Sequence, residues 1–226
     1  HIMIKPGSLV KMFNYYRKYR NTIRGSLHLP ILYLNDNPKN KLIYQCVHGK
    51  DLGLIHYRFT HYDPTGRDLP FPVPCMSTCG MMVSREIMDQ MNRWPSMLGI
   101  YGGGENFFNF VQGVLGFTPH VMPGDGISHY AASRGYRYEH FNYMRNRMLA
   151  TYLAGGESWC VKCAEAIIRT KERGSPRQIY QIANEIMDNE ENKTRRESIR
   201  QAQKYSLDEW VDHQIMTNPE LMLASD

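Results

Sequence analysis

Two spacings of apolar residues alternate along roughly the first 130 positions, and one governs the rest. Positions 1–4, His-Ile-Met-Ile, read as the end of a strand, stopped by Lys5-Pro6-Gly7. Ser8 then caps a helix whose apolar side is Leu9, Met12, Phe13 and Tyr16, spaced three and four apart. Short apolar runs at 30–34 and 42–47 predict two strands, separated by the turn residues Asn35-Asp36-Asn37-Pro38. Positions 48–74 are rich in Gly, Pro, Tyr and His and read mostly as a loop; one this long in a compact domain usually serves a binding site. A strand over 75–83 follows, then a helix opened by Ser84-Arg85-Glu86 and running to Trp94. Glycines at 102–104 lead into a helix from Glu105-Asn106, with Phe107, Phe110, Val111 and Val114 as its apolar side. A strand at 118–122 comes next, and Pro123-Gly124-Asp125-Gly126 turns the chain into Ile127-Ser128-His129-Tyr130. From 139 onward the period is helical, predicting helices at about 140–154, 157–172, 176–190, 193–204 and 206–216, with 189–193 as a charged break.

Composition narrows this picture only a little. A chain of 226 residues, 42% hydrophobic, can bury one full core and a second, small helical unit. No run approaches the ~18 apolar residues of a membrane span, and the start lacks the charged-then-apolar order of a secretory signal. The five cysteines, an odd number, argue against a disulfide framework and for a reducing, cytoplasmic setting. Cys160-Val-Lys-Cys163 lies in a helical pattern without a second ligand pair, so buried thiols are the better reading than zinc. Net charge of +5 mildly favours acidic partners such as nucleotide phosphates.

The order of motifs carries more than any one of them. Cys79-Gly80-Met81-Met82-Val83-Ser84-Arg85-Glu86 precedes Gly102-Gly103-Gly104-Glu105-Asn106, and Ser128-His129-Tyr130 comes later. This order resembles the family-2 glycosyltransferases of the GT-A fold, including the polypeptide N-acetylgalactosaminyltransferase branch. Those enzymes carry a small-residue strand, an arginine-started helix, a GGEN box and a late histidine. Upstream, Pro6-Gly7-Ser8-Leu9 and then Leu29-Pro30-Ile31-Leu32-Tyr33 look like the stretch following that family's Asp-x-His metal motif, with His1 in the histidine's place. The resemblance covers residues 1 to about 160.

It implies an α/β chain that forms the acceptor-side part of a GT-A (nucleotide-diphospho-sugar transferase) fold. That domain, 1–156, lacks the nucleotide-binding half before His1, which belongs to a longer protein or a separate polypeptide; a helical C-terminal extension occupies 157–226. The implied activity moves a sugar from a nucleotide-sugar donor to a hydroxyl acceptor: a glycan, a protein side chain or a modified nucleic acid base. The implied cofactor is Mn²⁺ or Mg²⁺, which offsets charge on the diphosphate leaving group, with His1 and His129 as ligands.

By the same resemblance Glu105 is the catalytic carboxylate. It activates the acceptor hydroxyl in inverting relatives and holds a hydroxyl in retaining ones. Gly80, Tyr101, Gly103, Gly104, Asn106, Arg134 and Arg137 are the candidate substrate contacts. Gly80 leaves room for a sugar ring near backbone, Tyr101 stacks on a sugar face, and the two arginines meet the diphosphate from a closing loop. The bland readings stand beside these: a packed strand for Gly80, a helix-start carboxylate for Glu105, a loop imidazole for His129 and a solvated basic loop for the arginines. Two other classes compete, namely a non-catalytic module binding glycan or nucleic acid and a basic helical interaction protein centred on 157–226.

Overall fold

The structure is a computed structural model that describes residues 2–33, 41–49, 54–62, 68–73, 75–99, 102–124, 126–129, 137–171 and 174–217, with backbone alone at 32–33, 41–49, 54–62 and 214–217. It is a mixed α/β chain. In the first sheet β1 (Ile2–Ile4) pairs antiparallel with β9 (Ile127–His129), which runs parallel to β3 (Ile31–Tyr33). A long antiparallel hairpin, β4 (Lys41–Gly49) and β5 (Leu54–Tyr62), extends that sheet from β3. The second sheet is built from two-residue strands in the order β6 (Phe71–Pro72), β8 (His120–Val121), β2 (Leu27–His28) and β7 (Met81–Met82).

These short strands close a small core. Met12, Ile23, Leu27, Leu29, Ile31, Val73, Met76, Val121, Met122 and Ile127 form one buried cluster, roofed by α1 (Ser8–Tyr19). The helix turns toward that core with Met12 and the tyrosines 15, 16 and 19, whereas Leu9 and Phe13 stay exposed at 54% and 51%. Its N-cap is Gly7, at φ +81°, rather than Ser8, which is the first helical residue.

The larger core is helical. α3 (Gly104–Val114) is buried on every side from Asn106 to Val114, its polar residues Asn106, Asn109 and Gln112 included. α4 (His140–Gly155) packs along it and is flanked in turn by α5 (Glu157–Arg169), α6 (Pro176–Asp188), α7 (Glu190–Ala202) and α8 (Leu207–Thr217); with α2 (Arg85–Gln90) they share a single apolar cluster that includes Phe107, Phe110, Leu149, Ile167, Ile186, Ile199 and Trp210. Polar ties reinforce this packing. Val114 O at the end of α3 accepts from Lys204 N and Tyr205 N, and Arg196 Nη1 donates to Leu153 O and Ala154 O of α4.

Several sequence expectations change. The 48–74 stretch contains β5 and β6; alternating β-branched and aromatic residues at 54–62 outweigh its histidines. Within 75–83 only Met81–Met82 is strand. The charged break at 189–193 shrinks to Asn189, which ends α6 and caps α7 through Asn192 N. Helix α2 is capped by Ser84 as expected but ends at Gln90. Asn92 and Arg93 then adopt successive left-handed conformations, φ +59° and +55°, at a cost of about 1–2 kcal/mol each. Helix α7 holds this turn. Arg195 Nη1 donates to the carbonyls of Asn92 and Arg93, and its Nε donates to Glu191, whose carboxylate also accepts from Ser96 N and Oγ. No helix among the described residues is long and apolar enough to cross a membrane.

Candidate active site

Glu105 occupies the first turn of α3, where the helix dipole favours a carboxylate by about 0.3–1 kcal/mol. Its side chain is half-buried and accepts a hydrogen bond from Thr78 Oγ1 at 3.3 Å. The backbone leading to Thr78 is fixed by a side chain in place of a strand partner. Asn109, one turn after Glu105, accepts from Met76 N at 2.9 Å and donates to Met76 O at 2.8 Å; its amide also donates to Glu105 O at 2.8 Å. The segment 76–80 and the carboxylate are thus locked to each other through one buried amide.

That segment also reaches the first sheet. Gly80 sits at φ +60°, its carbonyl accepts from Leu29 N, and a Cβ on it would lie 3.3 Å from the Ile127 side chain. Ile127 is two residues before His129 on β9, and the register sets His129 opposite Ile2 and beside Tyr33. Thr78, Cys79 and Gly80 therefore lie between Glu105 and the strand that carries His129.

Below this junction lies a buried polar chain. His28 Nδ1 is 2.9 Å from Ser77 O, and its Nε2 is 2.6 Å from Ser26 Oγ, which lies 3.2 Å from the Gln112 carboxamide. A carbonyl only accepts, so neutral His28 donates from Nδ1 and accepts the Ser26 hydroxyl at Nε2. Complete burial pushes the His28 pKa down to about 3, so the ring stays uncharged at neutral pH. Burial raises the Cys79 thiol above its ordinary value, and the Glu105 carboxylate adds to that shift, so Cys79 is no ready nucleophile.

The three glycines of the loop divide by cause. Gly102 and Gly103 have φ of +79° and +71°; a Cβ on the first would strike the Tyr143 ring, and one on the second would come 2.6 Å from the Asn146 backbone. Asn146, fully buried in α4, fastens the loop by accepting from Gly99 N and donating to Gly102 O, both at 3.1 Å. These two glycines thus have a reason in the fold itself. Gly104 does not. Its φ is not positive, and a Cβ there would meet nothing nearer than Trp94 Cζ3, at 4.0 Å.

Of the expected site residues, the structure brings Glu105, Gly103, Gly104 and Asn106 to one helix start and sets Gly80 between that start and β9. Arg137 is exposed ahead of α4. His1, Tyr101 and Arg134 lie outside the described residues. Thr78, Asn109 and Asn146 were missed. The signal for Asn109 was a polar stripe, Asn106, Asn109 and Gln112, at intervals of three in an otherwise apolar helix. Cys75, Cys160 and Cys163 are buried and Cys79 half-buried, all as thiols, in line with the packing reading; burial pushes the Cys160 pKa up to about 12.

With that geometry in view, the solved structures similar to this chain include the crystal structure of GalNAc-T7 with UDP, GalNAc and Mn²⁺. The similarity has a TM-score of 0.44 at 10% identity, over 78% of this chain and 35% of that one. The chain thus spans about a third of the length of that protein. No family model and no curated protein matches the sequence. Among the described residues, no three His, Cys, Asp or Glu side chains come together as a metal site. His129 is the one expected metal ligand among them, and a single imidazole does not hold a divalent cation.

Proposed function

We propose that this chain is the acceptor-side part of a glycosyltransferase, moving a sugar from a nucleotide-sugar donor to a hydroxyl acceptor, with Glu105 as the carboxylate that receives the acceptor. One observation carries the reading: Glu105 stands at the start of a rigidly buried helix, half-exposed, against a strand end that also packs on β9. The motif order noted in the sequence supports it. Bound to the acceptor hydroxyl, Glu105 accepts its hydrogen bond and, in an inverting reaction, its proton. Thr78 orients the carboxylate by donating to one oxygen, leaving the other for the substrate. Gly104 and Asn106 border the same turn, and Gly80, Gly103, Tyr101, Arg134 and Arg137 remain proposed contacts around it.

Mn²⁺ or Mg²⁺ at His129 and His1 belongs to the proposal as well, and it requires donors beyond the described residues. The nucleotide-binding half is proposed to come from another segment or polypeptide, with 157–226 as a helical extension that supports α3. The test is Glu105→Gln in the full-length protein, assayed with a panel of UDP-sugars and hydroxyl acceptors. Transfer should fall by about 100-fold or more while thermal unfolding is preserved. Transfer at the wild-type rate would remove Glu105 from the chemistry.

A further inference from the structure

We propose that Trp94 is a stacking platform for a sugar ring beside Glu105, and that helix α7 exists in part to hold it there. The choice of a sugar as ligand rests on the transferase reading above; the platform itself rests on geometry. All three tryptophans of the sequence are described. Trp159 and Trp210 are 3% and 5% exposed, whereas Trp94 is 41% exposed.

Its ring is not loose. It leans on α3 against Phe107 and Phe108, with centroids 5.4 Å and 5.9 Å away, so one side is packed and the rest faces outward. Gly104, Phe107 and Phe108 share one face of α3, and Glu105 begins the next. Gly104 is the glycine that neither backbone conformation nor packing explains, and the nearest atom to its missing Cβ belongs to the Trp94 ring. A side chain at 104 would stand at the edge of the platform. Its absence leaves that edge of the ring uncovered at the turn that also carries Glu105.

The support is as specific as the opening. Trp94 directly follows two non-glycine residues in the left-handed region, a conformation that persists only where surroundings enforce it. Arg195 and Glu191 supply that enforcement from α7, binding the carbonyls before Trp94 and the Ser96 backbone and hydroxyl after it. A pyranose matches this arrangement. Its C–H face stacks on the indole while hydroxyls at its rim reach toward the Glu105 carboxylate on the neighbouring face of the first turn.

The experiment titrates the full-length protein with the methyl glycosides of glucose, galactose, N-acetylglucosamine and N-acetylgalactosamine, none of which requires nucleotide or metal. Calorimetry measures affinity for the wild type and every variant, and in the wild type acrylamide quenching of Trp94, the exposed indole, reports its shielding. At least one glycoside should saturate the signal and roughly halve acrylamide access. Trp94→Ala should weaken that binding about tenfold, Trp94→Phe only slightly because a flat ring remains, and Arg195→Ala by an intermediate factor. Absence of glycoside binding, or equal binding by Trp94→Ala, overturns the proposal. Should the glycoside shield Trp94 while no nucleotide sugar is turned over, the platform stands and the transferase reading falls.

Discussion

The two halves of this molecule solve the problem of burial differently. The sheet half closes a core of ten buried apolar residues with two- and three-residue strands and one amphipathic helix. The helical half packs one deeply buried helix, α3, against a second, α4, which four others flank. The candidate catalytic carboxylate belongs to the second half, and the strand that carries His129 belongs to the first. The Cys75–Met82 segment joins them, since Cys75 and Met81 pack on the helical core whereas Met76, Cys79 and Met82 pack on the other. Placing the carboxylate on the more deeply buried element gives it a fixed position.

The sharpest way to break this contrast is to empty each core in turn. Phe110 is fully buried against Trp210, ring centroids 5.9 Å apart, and Phe110→Ala should cost about 3–5 kcal/mol. Met12→Ala in the smaller core should cost about 2–3 kcal/mol, because α1 can settle onto the space left. Urea unfolding of both variants checks the ranking. A Met12 variant less stable than the Phe110 variant would mean that the sheet half, not the helical half, anchors the fold.

Overpacking tests whether the extension belongs to the same body as α3. A Cβ at Gly113 would run into the Trp210 indole of α8. Gly113→Ala should therefore cost about 2–3 kcal/mol, despite alanine's better helix propensity. Adding Trp210→Leu should recover part of the loss. Simple additivity of the two changes would show that α3 and α8 do not touch in solution.

Much of this architecture was legible beforehand, for stated reasons. Helices α4 to α8 follow from periodicity, whereas the Asn189 cap that joins α6 to α7 was read as part of a charged break. The paired segments were harder. Strand β7 is two residues long because Asn109, far along the chain, takes over the backbone of Met76; no local pattern announces that exchange. The outward turn of Leu9 and Phe13 likewise depends on which face meets the tyrosine-lined core. At the site, Glu105 and its helix start could be read from the glycines. The split among those glycines could not, since two are explained by contacts to α4, which follows some forty residues later. Trp94 gave no signal at all, because its exposure is set by a turn clamped from α7.

The sheet half should be the acid-sensitive one. His28 is held at a pKa of about 3 against an ordinary 6.5, so between those values the unfolded chain binds a proton that the folded chain refuses. Stability is therefore fully present above pH 6.5 and declines as pH falls, by about 2 kcal/mol at pH 5 from this group alone. Urea titrations at pH 7.5 and 5 should show that loss in the wild type and a smaller one in His28→Gln, whose amide does not titrate. An equal decline in both would shift the acid sensitivity to other groups and leave the His28 chain without the charge penalty argued for it.

The smallest effect is expected at the exposed start of α6, which packs on α4, α5 and α7. Helix α6 opens with a full capping box: Ser175 Oγ accepts from Gln178 N at 3.3 Å, Gln178 Oε1 accepts from Ser175 N at 3.0 Å, and Pro176 occupies the first turn. Ser175→Ala removes one arm and should cost about 1 kcal/mol, because water satisfies the exposed amide only in part. The loss should appear as faster amide exchange confined to the first turn of α6, with exchange at α3 and glycoside binding at Trp94 unchanged. Helix α6 packs on the helical core through Ile179, Ala183 and Ile186, so its start can fray while those anchors stay seated. If exchange instead quickens in α3 as well, the helical half transmits local loosening to the carboxylate, and the rigidity assigned to Glu105 would depend on its outermost cap.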